Sequence, residues 1–152
     1  MVKFSNRKEG FTLIEILLVV ALLLILASIT IVAINPAKHF RDSRNAQRSS
    51  DVSEILNAVT QYTSEPDFAG WETGVLAGVV DCEDAEGNPQ WSTIGTGTGE
   101  IDLDSILVEE YIIEIPDDPL SGAGYQICVT DGGRVWVNAP GAEDGKVITS
   151  RR

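Results

Sequence analysis

Histidine, cysteine and basic residues are scarce in this chain, and each scarcity closes a route. His39 is the only histidine in 152 residues, and Cys82 and Cys128 are the only cysteines. With no C-x-x-C pair and no His cluster, a structural zinc site has no donor set. No Ser/His/Asp or Cys/His grouping presents itself, and the paired carboxylates fall in turn-like segments, so a membrane-anchored exported enzyme is a poor fit. The run Gly95-Thr-Gly-Thr-Gly99 is not followed by Gly-Lys-Ser/Thr, which makes it a loop and not a phosphate cradle. Nothing calls for a cofactor. Beyond residue 48 only Arg134, Lys146, Arg151 and Arg152 are basic, against 20 acids. That part lacks the basic footprint of a nucleic-acid surface, and its acidity suits a soluble head.

Residues 11–34 lack something different: they contain no proline, no glycine and one ionisable side chain, Glu15. A helix of this length is about 36 Å long, enough for a hydrocarbon core of about 30 Å. A carboxylate in a span is costly, about 2.5 to 3.5 kcal/mol at the centre and less near the interface, so something must offset Glu15. The basic leader with Lys3, Arg7 and Lys8 looks like the start of a secretory signal. The apolar run is too long for an ordinary signal, however, and Ala27-Ser28 and Ala33 are weak cleavage sites. An anchor fits better. Lys38, Arg41, Arg44 and Arg48 flank its other end, so the positive-inside rule does not choose a topology.

Both cysteines lie beyond the span. On an exported side they favour a disulfide, Cys82 to Cys128, over two buried thiols. The loop closed, about 47 residues, is worth about 4 kcal/mol by chain entropy. The part from Pro66 onward is small enough for a staple to help.

The residues Lys8-Glu9-Gly10-Phe11-Thr12-Leu13-Ile14-Glu15, followed by an unbroken apolar helix, resemble the prepilin signature of type IV pilins and type II secretion pseudopilins. The resemblance is specific over residues 1 to about 65 and covers the rest by layout. It implies that a prepilin peptidase cuts between Gly10 and Phe11 and that the new Phe11 amine is methylated. It also implies an α+β type IV pilin fold, with a leader at 1–10 and a long helix at 11–65 packed on an antiparallel β-sheet head at 66–152. Within the helix, 11–34 is the transmembrane and assembly segment and 36–65 an amphipathic stem. The implied function is a structural subunit of a pilus-like filament, a homopolymer of this chain; the alternative is a pseudopilin of a type II secretion system. Before assembly the chain sits in the cytoplasmic membrane with its head exported, in contact with lipid and an assembly platform. Afterwards it is in an extracellular filament. Glu15, one helical turn from the Phe11 amine, then serves as a register element. The attraction between amine and carboxylate is strong at low dielectric, and desolvation cancels much of it. Many relatives carry a Gly and a Pro at the positions of Leu24 and Val32. This chain has Pro36 instead, which predicts a kink or local melting near residues 32–36.

In the stem, Val52, Ile55, Leu56, Val59 and Tyr62 form one apolar stripe, and Pro66 is a stop signal. Residues 38–51 are polar almost all round. They read either as a solvated face or as a place where Arg41, Arg44 and Arg48 meet acids of neighbouring heads. Leu103, Ile106, Leu107 and Tyr111 suggest a short helix. Ile115-Pro-Asp-Asp-Pro119 is a turn in which Asp117 and Asp118 are weak calcium candidates, since calcium takes six to eight oxygens. Strands are predicted at Tyr125–Thr130, Arg134–Asn138 and Lys146–Thr149, with Trp136 as a packing residue.

Overall fold

A computed structural model describes residues 10–83, 86–120 and 122–152; leader positions Lys3, Arg7, Lys8 and Glu9 lie outside the described residues. The chain divides into two compact units, one ending at His39 and one running from Phe40 to Arg152.

The first unit holds α1, Leu13–Ile34, none of whose residues is buried. It is long and apolar enough to cross a membrane. Thr12 caps its N-terminus, and its two interior hydroxyls are satisfied locally. Ser28 Oγ donates to the Ile25 carbonyl and Thr30 Oγ1 to the Ala27 carbonyl, both at 2.8 Å. Such back-bonding leaves no hydroxyl seeking a partner in hydrocarbon. The helix ends at Asn35, which adopts left-handed φ 48° and ψ 74°, a region Asn enters more readily than most residues. Pro36 then opens α2, Pro36–Tyr62, at the one helical position where a missing N–H costs nothing. The expected long helix is therefore two helices, and the break falls at a single residue inside the window that Pro36 predicted.

In the second unit, α2 buries Val52, Ile55, Leu56 and Val59, with Asn45, Arg48, Asp51 and Ala58 beside them. Tyr62, at its end, packs against the core without being fully buried. The helix stops three residues before Glu65, because Thr63 to Glu65 bend through short turns ahead of Pro66. Against the helix lies a four-stranded antiparallel sheet in the order β1-β2-β3-β4. Its strands are β1 Ser92–Thr93, β2 Gln126–Val129, β3 Val135–Asn138 and β4 Thr149–Arg151. Ile127, Val129, Val135 and Val137 alternate inward, as the pleat requires, and Ile127 stands opposite Val137. Gly133, at φ 74°, closes the β2–β3 turn. A 3-10 turn at Gly74–Gly78 and a one-turn helix α3, Asp104–Leu107, complete the core with Leu76 and Leu107.

Two sequence expectations shift, and one strand is new. The helix around 103–111 shrinks to α3, because Glu109 takes a left-handed φ of 75° and turns the chain so that Ile112 enters the core. The last strand begins at Thr149, not Lys146. Residues Glu143, Asp144 and Lys146 are instead held by stem side chains. Strand β1, two residues long beside a glycine-rich loop, gave no period to read.

Candidate functional site

Two places concentrate polar groups that a plain anchor or a plain core would not need. The first is the start of α1. Thr12 Oγ1 accepts from the Glu15 N–H at 3.2 Å, and the Thr12 N–H donates back to Glu15 Oε2 at 3.5 Å. This reciprocal box ties two of the otherwise unpaired N–H groups of the first turn. The positive end of the helix dipole also favours a carboxylate there. Both effects offset part of the cost of Glu15 within the chain itself. Phe11 is 80% exposed immediately before the cap. Gly10 and Phe11 therefore lie just before the cap, and Glu15 in the first turn of an exposed helix.

The second place was missed by sequence reasoning. Arg48 is fully buried in the stem, where its guanidinium grips Asp118 from two nitrogens, Nε to Oδ2 at 2.6 Å and Nη2 to Oδ1 at 2.8 Å. Its third nitrogen donates to Glu143 Oε2 at 3.1 Å. Arg44, one turn earlier, forks onto Glu143 with two bonds of 2.6 Å. Asn45 completes the clamp by bonding both the N–H and the C=O of Glu143. Arg41 pairs with Asp144 and Asp42 with Lys146, nearer solvent. The stem thus holds residues Glu143, Asp144 and Lys146 from Arg41 to Arg48.

The electrostatics follow from the geometry. The bonds to Asp118 raise the Arg48 pKa above its ordinary value, against the pull of burial. Glu143 is held down to about 2, chiefly by its bonds to Arg44. Burial pushes Asp118 upward, but the Arg48 bonds and the Leu120 N–H together outweigh it, leaving its pKa below the usual carboxylate value. Nearby, the buried Tyr125 hydroxyl donates to Asp51 at 2.5 Å; burial and that bond raise its pKa.

These contacts bear on two expectations. Arg41, Arg44 and Arg48 each pair with an acid of their own head, Arg48 fully buried and Arg41 and Arg44 partly exposed. Asp118, one of the two calcium candidates, spends both oxygens on Arg48, while Asp117 is exposed. Among the described residues no group of three or more His, Cys, Asp or Glu could hold a metal. A signal for the cluster was present. Arg48 precedes Val52 by four residues and Ile55 by seven, so it continues the apolar stripe, and a charge on a buried stripe requires a partner.

Cys82 and Cys128 form a disulfide across a sequence separation of 46. Backbone bonds from the Cys82 N–H to the Val129 carbonyl and from the Val129 N–H to the Val80 carbonyl flank it, so the covalent link reinforces a paired segment. Trp136 is half-buried on the sheet's outer face, with the Arg151 guanidinium 4.0 Å above its ring.

Residues 5–31 match a family described as the prokaryotic N-terminal methylation motif. Over 134 residues the chain is 29% identical to "Prepilin peptidase-dependent protein A" of Clostridium perfringens, covering 88% of this chain and 86% of that protein. No solved structure matches. A methylation motif leading into an exposed apolar helix, an α+β pilin-like fold behind it and a relative so named together support a prepilin-like protein of the pilin or pseudopilin type.

Proposed function

We propose that this chain is the structural subunit of a type IV pilus-like filament. One observation carries the reading: α1 is apolar from Leu13 to Ile34 and none of its residues is buried. A segment of that kind needs an apolar environment from elsewhere. Lipid supplies it before assembly and neighbouring α1 helices afterwards, an exchange between two media of similar polarity. The methylation motif and the relative's name support processing by a prepilin peptidase between Gly10 and Phe11. An assembly platform in the membrane then draws the processed subunit into the filament.

Cleavage creates an ammonium at Phe11, next to the Thr12 cap. Among the described residues Glu15 reaches the Thr12 N–H, at 3.5 Å and exposed. An ammonium from an adjacent subunit is a stronger partner than that amide, because charge-assisted hydrogen bonds are shorter and stronger. Glu15 then sets where an incoming helix stops sliding.

The test is the mass and N-terminal sequence of the chain recovered from sheared surface material. N-methyl-Phe11 in filaments is the expected result. A chain beginning at Met1 would overturn the processing, and a processed chain absent from surface filaments would move the reading to a secretion pseudopilin. Glu15→Ala should abolish or sharply reduce assembly; normal filaments from that variant would remove the register role.

A further inference from the structure

The two flanks of the head differ in charge and each carries an isolated exposed apolar side chain. All four basic residues beyond residue 48 lie on the hairpin of β3 and β4: Arg134, Lys146, Arg151 and Arg152. The same hairpin has two acids, Glu143 and Asp144, and the stem arginines already neutralise both. Lys146 is paired with Asp42. No ion pair among the described residues engages Arg134, Arg151 or Arg152. The edge at β4 is therefore basic on an otherwise acidic head, and Val147, entering that strand, is 86% exposed. The turn after α3 is its counterpart. Glu109, Glu110 and Glu114 are exposed and in no ion pair among the described residues, and Ile113 among them is 90% exposed. From Phe40 onward, Ile113 and Val147 are the most exposed large apolar residues described.

Their placement on α2 separates them. The β4 side runs along one margin of the helix, where Lys146 meets Asp42 and Arg152 donates to Asn57. Those two stem residues are about 60° apart on the helical wheel. Tyr111, in the acidic turn, stacks edge-on against Tyr62, with ring centroids 5.8 Å apart. Tyr62 lies about 140° beyond Asn57 on the wheel. The exposed stem face, with Ser50, Glu54 and Gln61, lies between the two margins. One flank of the head is thus basic and the other acidic.

We propose that these flanks are the two halves of one contact between copies of this chain: the Ile113 turn of one head docks on the Val147 edge of the next. This rests on the filament reading above. The charges are complementary, and the surfaces differ, so the contact is heterologous; repeated without closure, it yields an open helical array and not a closed dimer. Like-with-like pairing of either flank would juxtapose charges of one sign.

The test uses thiol cross-linking in sheared filaments, since Cys82 and Cys128 are already bonded to each other. Both substituted positions are exposed, so the variants should fold as the parent does. Ile113→Cys/Val147→Cys should give a ladder of covalent multimers on oxidation. Neither single variant should exceed the wild type in dimer content, and filaments mixed from the two single variants should give dimers only. Filaments of normal yield without a ladder would overturn the contact and leave the filament reading standing. Dimers from Ile113→Cys alone would overturn the heterologous geometry. Failure of the wild-type chain to appear in surface filaments would overturn both. As a second measurement, Glu110→Lys should reduce filament yield several-fold and Arg151→Glu in the same chain should restore it; loss without restoration counts against the charge match.

Discussion

Replacing Arg48 by methionine keeps an unbranched apolar stem and removes the guanidinium and its charge. In the folded head that leaves Asp118, whose side chain is 2% exposed, with only the Leu120 N–H as donor. Glu143 keeps Arg44. Removing one partner of a buried pair typically costs about 3 to 5 kcal/mol, because the remaining charge is stranded. That is a large share of the roughly 5 to 15 kcal/mol that holds a domain of this size together. With a urea slope of about 1 to 3 kcal/mol per molar, the midpoint should fall by on the order of 2 M. The assay is a urea titration of the full chain in detergent micelles, followed by the fluorescence of Trp71, Trp91 and Trp136. The double variant Arg48→Met/Asp118→Leu should recover most of the loss, since it removes the stranded carboxylate and fills the space with apolar atoms. A single-variant shift under about 0.5 M, or a double variant no better than the single one, would refute the reasoning.

Acid should loosen the same clamp. Glu143 has its pKa lowered to about 2 from 4.5, so its stabilisation is complete above about 4.5 and declines as pH falls from there towards 2; Asp118 is lowered too and acts in the same direction. Urea midpoints at pH 7, 4 and 2.5 should drop in that order, and Glu143→Gln should flatten the decline; an unchanged slope contradicts the assignment. Reducing the Cys82–Cys128 bond should lower stability by about 2 to 4 kcal/mol, read as a lower thermal midpoint with reductant, whereas a Cys82→Ala/Cys128→Ala variant should be insensitive to reductant. Gly141→Ala should cost about 1 to 3 kcal/mol by overpacking, because its new methyl would lie 2.8 Å from an Asp118 oxygen that Arg48 holds fixed. Gly97→Ala should cost less by the same titration, since the obstacle there is the end of the exposed Glu100 side chain.

Periodicity and composition exposed the elements whose signal is local. The apolar run, the Val52–Val59 stripe and the alternation around Cys128 and Trp136 can each be read from neighbouring residues. What stayed hidden depends on pairs far apart in the chain. Arg48 and Asp118 are 70 residues apart, and nothing near either names the other. The stem segment 38–51 is polar all round by residue type, and residue type does not tell a buried charge from an exposed one. Once Arg48 and Asn45 are buried against acids of the head, that segment acquires an inner face the apolar count could not show. The same limit displaced β4. The predicted strand starts at Lys146, but the ion pair of Lys146 with Asp42 of the stem holds that residue outside the sheet.

The satisfaction of α1 bears on where assembly gets its specificity. Ser28 and Thr30 bond their own helix, and Glu15 has a local cap partner. Past its first turn, then, α1 has no uncommitted side-chain donor to offer a neighbour. Dispersion alone hardly distinguishes a neighbouring helix from lipid, or one register from another along a run of Leu, Ile and Val. Discrimination in the proposed filament must come from the few polar atoms at the Phe11 end and from the heads. A register set by Glu15 alone fixes how far a helix slides but not which way its head faces. A head contact between unlike flanks fixes the facing. The two devices are complementary, and Glu15→Ala combined with Glu110→Lys should therefore lower filament yield more than either change does alone. If the double variant yields as much as the weaker single one, the head contact adds no orientation of its own.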